Sequence, residues 1–203
     1  MLRANLIDGF LSGTMIAIGG SVLLACDNRY LGAGLFTVAL LSICLFGFNL
    51  YTGKVGFLVR DHSRDTLLST FSGLLGNILG TFFMGLLIGL ALPKQVDSAA
   101  LACINRLGQT GVQTLIRGFF CGILMYTAVW AYREKGRIVG ILFCVPVFIL
   151  AGFEHSIADM FYFSLARCFE ARSLLFLLLV VLGNSLGGMF IPLMQVLKGK
   201  RSQ

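Results

Sequence analysis

The chain has 203 residues, of which 57% are hydrophobic and 12% are charged, and its formal net charge is +7. This charged fraction is about half that of an average soluble domain, and the mean hydropathy is +0.89. Composition therefore excludes an ordinary water-soluble domain, and because no nucleic-acid-binding motif accompanies the positive charge, we expect no nucleic-acid partner.

Six apolar segments follow one another along the chain, each long enough for a bilayer-spanning helix of about 20 residues. They are Leu6–Cys26, Leu31–Leu58, Thr70–Leu92, Thr114–Tyr132, Ile138–Leu165 and Ser173–Leu197. We interpret the stretch between the third and fourth segments as a loop. The sequence predicts an all-α, multi-pass protein of the lipid bilayer, with a single transmembrane domain over residues 1–203.

The basic residues predict the orientation of these spans. Six spans place both termini on one side, and cytoplasmic flanks carry an excess of Lys and Arg. With the N-terminus inside, the inside segments hold Arg3, Lys54, Arg60, Arg64, Arg133, Lys135, Arg137, Lys198, Lys200 and Arg201. The outside segments hold Arg29, Lys94, Arg106, Arg167 and Arg172. We therefore expect both termini in the cytoplasm, in the inner membrane of a bacterial cell.

Two motifs occur twice, in the same order and nearly the same register. Residues 9–13 and 118–122 share G-F-x-x-G, and residues 75–80 and 182–187 share L-G-N-x-L-G. Each half holds three spans, an odd number, so the second half must begin on the opposite face of the membrane. The pattern predicts a 3+3 inverted repeat over residues 1–95 and 110–203, a common transporter design.

The middle span of each half contains residues that disfavour a continuous helix. The second span carries three glycines and an asparagine between Gly47 and Gly56, and the fifth carries Pro146 and a polar stretch from Gly152 to Ser156. Broken helices at corresponding positions of inverted halves indicate a transport site. We expect Thr52 and His155 to face one another near the midplane.

His155 is the strongest candidate for function, because ionisable groups are costly at membrane depth and usually face a cavity or a partner. Helix breaks aim backbone N–H groups into such a cavity, which favours small anions. His155 could give a hydrogen bond or a proton to a weak-acid anion, beside the Thr52 hydroxyl. The alternative is a structural histidine bonded to a backbone carbonyl. We expect Glu154 to accept backbone N–H bonds and Asp159 to cap the half-helix that follows.

At these residues the sequence resembles the formate/nitrite transporter family. Residues 152–161, G-F-E-H-S-I-A-D-M-F, resemble the fifth-span motif usually written G-F-E-H-S-I-A-N-M-F. Residues 50–53 resemble the broken second-span loop, residues 182–188 the sixth-span motif, and residues 117–122 and 128–130 the fourth span. The similarity runs in order over nearly the whole chain.

The resemblance implies a homopentamer of aquaporin-like six-helix protomers, each with its own pore for formate, nitrite, hydrosulfide or lactate. It assigns His155 as the central pore histidine and Thr52 as its loop partner. Two apolar constrictions would be formed by Phe36, Leu40, Leu50 and Phe148, residues that would otherwise be interpreted as plain packing. Asn77 and Asn184 would hold the broken segments. No cofactor or metal is implied.

Three positions depart from the family pattern. Gly122 and Asp159 stand where asparagines are usual, and Arg106 falls where the vestibule lysine that draws anions inward is expected. An arginine keeps the positive charge but binds anions through a planar fork. The chain is also short for the family, without an extended N-terminal helix, so gating by such a helix is not expected.

Two other functions remain open at this point. The same architecture could form a neutral-solute pore of the water or glycerol type, or a membrane scaffold or intramembrane enzyme. No His, Cys, Asp and Glu spacing typical of a metal site, no Ser-His-Asp order and no phosphate loop is present, so we do not expect an enzyme. The paired helix breaks favour the anion pathway.

Overall fold

The computed structural model describes residues 2–200, and every element in this range is helical. The elements are α1 (Leu2–Ala25), α2 (Arg29–Phe46), α3 (Tyr51–Lys54) continued by a 3₁₀ helix (Val55–Val59), α4 (Arg64–Ala91), α5 (Lys94–Leu107), α6 (Gly111–Lys135), α7 (Val139–Ala151), α8 (Ser156–Leu165) and α9 (Ala171–Lys200). The predicted all-α fold is confirmed. Arg201, counted among the inside charges, lies outside the described residues.

The predicted spans correspond to long apolar helices. Within residues 2–200, five helices are long and apolar enough to cross a membrane, namely α1, α2, α4, α6 and α9. Helices α7 and α8 make a sixth if they are one span, bent by 57°. Several helices extend beyond the apolar segments, because polar residues such as Arg64 and Lys135 continue the helix past its apolar part.

The helix breaks in the second and fifth spans have the same backbone conformation at their first residue. Gly47 directly follows α2 with φ 73°, and Gly152 directly follows α7 with φ 75°. Glycine adopts this left-handed conformation at little cost, and it terminates many helices. After four residues in each case, 47–50 and 152–155, the chain resumes as α3 or α8.

The repeated motifs pack against each other within each half. Helix α1 packs along α4 and α6 packs along α9, the two most extensive helix pairings in the fold. A Cβ atom on Gly9 would lie 2.5 Å from the carbonyl oxygen of Gly73, and one on Gly183 would lie 2.5 Å from that of Leu115. Small residues therefore permit backbone contact between these helices, as membrane helix interfaces require.

The interpretation of residues 93–113 as a loop was wrong, because helix α5 occupies Lys94–Leu107. This helix buries Ala99 and Cys103 and contacts α8. It is amphipathic rather than apolar, so a search for bilayer-length apolar runs does not find it. Its last turn carries Arg106 to the candidate site.

Candidate functional site

The two helix breaks bring Thr52 and His155 into contact. Thr52 lies in the first turn of α3 and His155 directly precedes α8, and the Thr52 hydroxyl oxygen is 2.9 Å from His155 Nε2. Both side chains are almost fully buried, with 0% and 2% of their surface exposed. The pair is separated by 103 residues in sequence, so only the tertiary fold joins it.

The hydrogen bond at Nδ1 of His155 indicates which ring nitrogen carries the proton. Nδ1 accepts a hydrogen bond from the backbone N–H of Ala158 at 3.1 Å, so it has no proton of its own. In the neutral ring Nε2 is then the donor, and it points at the Thr52 oxygen. The same bond makes His155 the N-cap of α8. The expectation that Asp159 caps this half-helix was wrong.

Two asparagines hold the broken segments through corresponding hydrogen bonds. Asn77 accepts from the N–H of Tyr51 and donates to the carbonyls of Gly9 and Asn49, each at 2.9 Å. Asn184 accepts from the N–H of Ser156 at 2.9 Å and donates to the carbonyls of Gly118 and Glu154 at 2.8 and 2.9 Å. Each asparagine thus satisfies backbone groups that a helix break leaves free.

The four residues of the predicted apolar constrictions are all buried. Phe36 and Phe148 form an edge-to-face contact with ring centroids 6.2 Å apart, and Phe148 also stacks on the His155 ring at 5.5 Å. Phe36 and Phe148 are at most 3% exposed, and Leu40 and Leu50 at most 2%.

Two cavities approach this buried centre. The first, of about 380 Å³, is lined by Phe36, Phe148 and His155 together with charged residues of α5 and α8. The second, of about 630 Å³, is lined by Leu40, Leu50 and Gly53 together with charged residues from α3, α4 and α6. The Phe pair thus borders one cavity and the Leu pair the other, while Thr52 lines neither.

Arg106 lies in the wall of the first cavity within a compact charge cluster. Its Nε atom is 2.8 Å from Asp159 Oδ1 and 3.2 Å from Glu154 Oε2, and its guanidinium lies 4.7 Å from the centre of the Tyr162 ring. Burial opposes the positive charge, but Asp159 and Glu154 outweigh it and hold the pKa of Arg106 above its ordinary value. Two carboxylates therefore already balance this charge.

Glu154 takes part in this cluster through its side chain. Its Oε1 atom accepts a hydrogen bond from Gln109 at 2.6 Å and lies 4.0 Å from Arg117. The expectation that its carboxylate accepts backbone N–H bonds was wrong. Gln109 and Tyr162 were missed from the sequence because their contacts depend on α5 and on Arg106 in its last turn. The amphipathic pattern of residues 94–107 was the signal that could have found these two. Arg117 was missed because its distance to Glu154 depends on how α6 packs against the helix break before α8.

The site has no arrangement suited to a metal ion. In the part of the chain that the structure describes, no three His, Cys, Asp or Glu side chains converge as a metal site requires. The chemistry available at the buried centre is hydrogen-bond donation from His155 and Thr52. Phe148 stacks on the His155 ring, and both cavities have cations in their walls.

Comparison with known proteins gives consistent matches. A family model described as formate/nitrite transporter matches residues 2–197. The nitrite transporter NirC of Escherichia coli is 30% identical over 176 residues, which cover 75% of this chain and 65% of NirC. The formate channel BtFdhC of Bacillus thuringiensis is 30% identical over 187 residues, which cover 80% of this chain and 72% of BtFdhC.

Solved structures share the architecture. An FNT family ion channel superimposes with a TM-score of 0.77 at 25% identity, covering 94% of this chain and 86% of the other. A pentameric formate channel with formate bound has a TM-score of 0.73 at 22% identity, covering 97% and 96%. The second match, at this level of identity, shows the common fold.

Proposed function

The chain belongs to the formate/nitrite transporter family, and from this membership we propose that it conducts small monovalent anions of weak acids, such as formate, nitrite or hydrosulfide. It is a multi-pass membrane transport protein and not an enzyme, in keeping with NirC and BtFdhC. The observation that carries the proposed function is the buried hydrogen bond between Thr52 and His155, which lies between two cavities.

In the proposed mechanism, His155 stabilises the permeating anion by hydrogen bonding. An anion that reaches the centre competes with Thr52 for the Nε2 proton, and the Thr52 hydroxyl can donate to it as well. Transfer of that proton would leave an imidazolate, and a second proton on Nδ1 would displace the bond from Ala158. The arrangement therefore supports a hydrogen bond to the anion in preference to a proton donated by His155 itself.

The apolar residues on either side of this pair would make the anion lose water. Phe36 and Phe148 form the constriction towards the first cavity, and Leu40 and Leu50 the one towards the second. Transfer of an ion from water to apolar surroundings is costly unless new partners replace the lost hydration. Thr52 and His155 supply such partners at the point where hydration is lowest. Asn77 and Asn184 keep the two half-helices in place around it.

We propose a homopentamer, with both termini of each copy in the cytoplasm. A formate channel of the same fold is pentameric, and we infer five copies here, each with its own pathway. Native mass spectrometry of the detergent-solubilised protein tests that number. The excess of basic residues on one side supports cytoplasmic termini in a bacterial inner membrane.

Flux through proteoliposomes tests the proposed function. Formate and nitrite flux under a pH gradient should fall at least about ten-fold in His155→Phe and Thr52→Val, which matches the loss of a hydrogen bond to a charged group. Thr52→Ser should retain flux because it keeps the hydroxyl. His62→Phe is the matched control, since His62 is exposed in a loop and lines neither cavity.

Two results would contradict the proposal. The first concerns the role of the Thr52–His155 pair, and the second concerns the transported solute. Undiminished anion flux in both His155→Phe and Thr52→Val would remove the pair from the pathway. Vesicle swelling with glycerol or water, without any formate or nitrite flux in the unmodified protein, would instead indicate a neutral-solute pore.

A further inference from the structure

Lys54 lines the second cavity and has no role in the mechanism proposed above. Five charged residues line this cavity: Lys54, Arg60, Asp61, Asp65 and Arg133. Four of them are exposed, whereas Lys54 is half-buried. Lys54 ends helix α3, two residues after Thr52, and the same cavity is lined by Gly53 and Leu50. By burial, Lys54 is the innermost charge of the cavity.

Lys54 forms no ion pair with a carboxylate among the described residues. The ion pairs of Arg106 and Arg117 with Glu154 and Asp159 lie in the wall of the other cavity, and Lys54 takes part in none of them. Lys54 is repelled by Arg133, which lines the same cavity, and attracted by Asp8, which does not line it. Two cations therefore act on the same space without a counter-ion in ion-pair contact.

The neighbouring groups do not neutralise this pair of cations. The Arg133 guanidinium lies 4.5 Å from the centre of the Phe57 ring, a neutral group that adds no negative charge. Asp61 is occupied within its own loop, where its carboxylate accepts bonds from the Ser63 N–H and the Thr66 hydroxyl at 3.0 and 2.6 Å. Asp65 is exposed in the first turn of α4.

We propose that Lys54 and Arg133 form an anion-binding station in the second cavity, which takes a carboxylate or another small monovalent anion before or after it passes Leu40 and Leu50. A half-buried cation beside a like charge is stabilised by an anion between them, and partial burial strengthens that attraction over its value in water. The proposal rests on the function described above, because its ligand is the permeating anion.

The two cavities then differ in how they hold anions. In the first, Arg106 is balanced by Asp159 and Glu154 at 2.8 and 3.2 Å. In the second, Lys54 has no such partner. Arg29 also lines the first cavity, but it is exposed and donates a hydrogen bond to the Ile149 carbonyl. The half-buried Lys54 is therefore the better placed cation for capturing anions at low concentration. The station should change the anion concentration for half-maximal flux more than the maximal flux.

Formate flux in proteoliposomes tests the station through its dependence on concentration and salt. At an ionic strength of about 0.01 M, where charge interactions extend over about 30 Å, Lys54→Gln should raise the formate concentration for half-maximal flux about five-fold. At an ionic strength of about 0.5 M, screening should abolish most of that difference. Lys54→Arg should remain close to the unmodified protein at both ionic strengths.

Lys135→Gln is the matched control, because it removes the same charge from the end of α6 without lining either cavity. Size-exclusion chromatography and thermal unfolding check that each variant folds. Arg133→Gln is the second variant, with an exposed side chain, and should show the same salt-dependent rise. The station is overturned if Lys54→Gln and Arg133→Gln both match Lys135→Gln at low salt. Absence of anion flux in the unmodified protein would overturn the transport function itself, and the station with it.

Discussion

Arg106 and Asp159 are two departures from the family pattern that meet in one contact. The resemblance places a lysine and an asparagine at these positions, and here the two residues form an ion pair of 2.8 Å. Asp159 is buried, and its second oxygen, Oδ2, has no hydrogen-bond partner among the described residues. The negative charge of Asp159 is therefore stabilised by Arg106. We interpret the two departures from the family pattern as one coupled change, in which each residue requires the other.

This dependence predicts the stability of variants. Arg106→Gln should lower the free energy of unfolding by about 3 kcal/mol, because it leaves buried carboxylates without their cation. Asp159→Asn in the same chain should recover part of that loss, since the amide needs no counter-charge. Denaturation in detergent with a double-mutant cycle measures the coupling.

Lys94→Gln, at the exposed start of α5, serves as the control for loss of a basic residue from the same helix. A double variant whose loss equals the sum of the two single losses would show that Arg106 and Asp159 act independently. Such a result would contradict the interpretation of the two departures as one exchange.

At the scale of elements, the half-helices α3 and α8 are positioned from outside by side chains of α4 and α9. Asn77 bonds the N–H of Tyr51 at the start of α3, and Asn184 bonds the N–H of Ser156 at the start of α8. A backbone N–H that is buried without a partner is costly. The orientation of each half-helix thus depends on one asparagine from a neighbouring span.

Amide hydrogen exchange should separate the roles of the two asparagines. Asn77→Ala should accelerate exchange at Tyr51 while Ser156 stays protected, and Asn184→Ala should do the reverse. Each variant should also lose about 2–3 kcal/mol of stability, because buried partners are left unsatisfied. Each variant is the control for the other, and equal acceleration at both amides would indicate a general loosening of the fold instead.

For the whole molecule, the six spans and the distribution of charge predict the orientation in the membrane. Among all 16 basic residues, ten belong to the predicted inside segments, and Arg117 joins the five outside ones because it borders the first cavity. Alkaline phosphatase fused after Gly108, beyond three spans, should be active because it is exported. Fused after Gly136, beyond four spans, it should be inactive.

A fluorescent protein at the C-terminus should fluoresce in the cytoplasm, and the fusion after Gly136 is the control for expression without export. The reverse pattern at Gly108 and Gly136 would invert the orientation and place the Lys54 cavity on the outside. It would leave the proposed pathway unchanged, because the contact between Thr52 and His155 is the same in either orientation.

Much of the architecture follows from local composition. Apolar runs of bilayer length predict the spans, and Gly47 and Gly152 mark both helix breaks because their backbone angles suit few other residues. The repeated G-F-x-x-G and L-G-N-x-L-G motifs indicate which helices pack closely. These features depend on near neighbours in the chain, and hydropathy and steric rules describe such neighbours well.

Other features depend on residues that are distant in sequence. The partners of Arg106, the cap of α8 by His155 and the isolation of Lys54 from carboxylates follow from how α5, α6 and α8 pack, because charge interactions act through space. Hydropathy also missed α5, whose stability derives from one buried face rather than from an apolar composition. The chain alone thus identified the spans, the breaks and the contact between Thr52 and His155. Tertiary packing decided which charges are balanced in each cavity, since only the fold brings those groups within a few ångströms of each other.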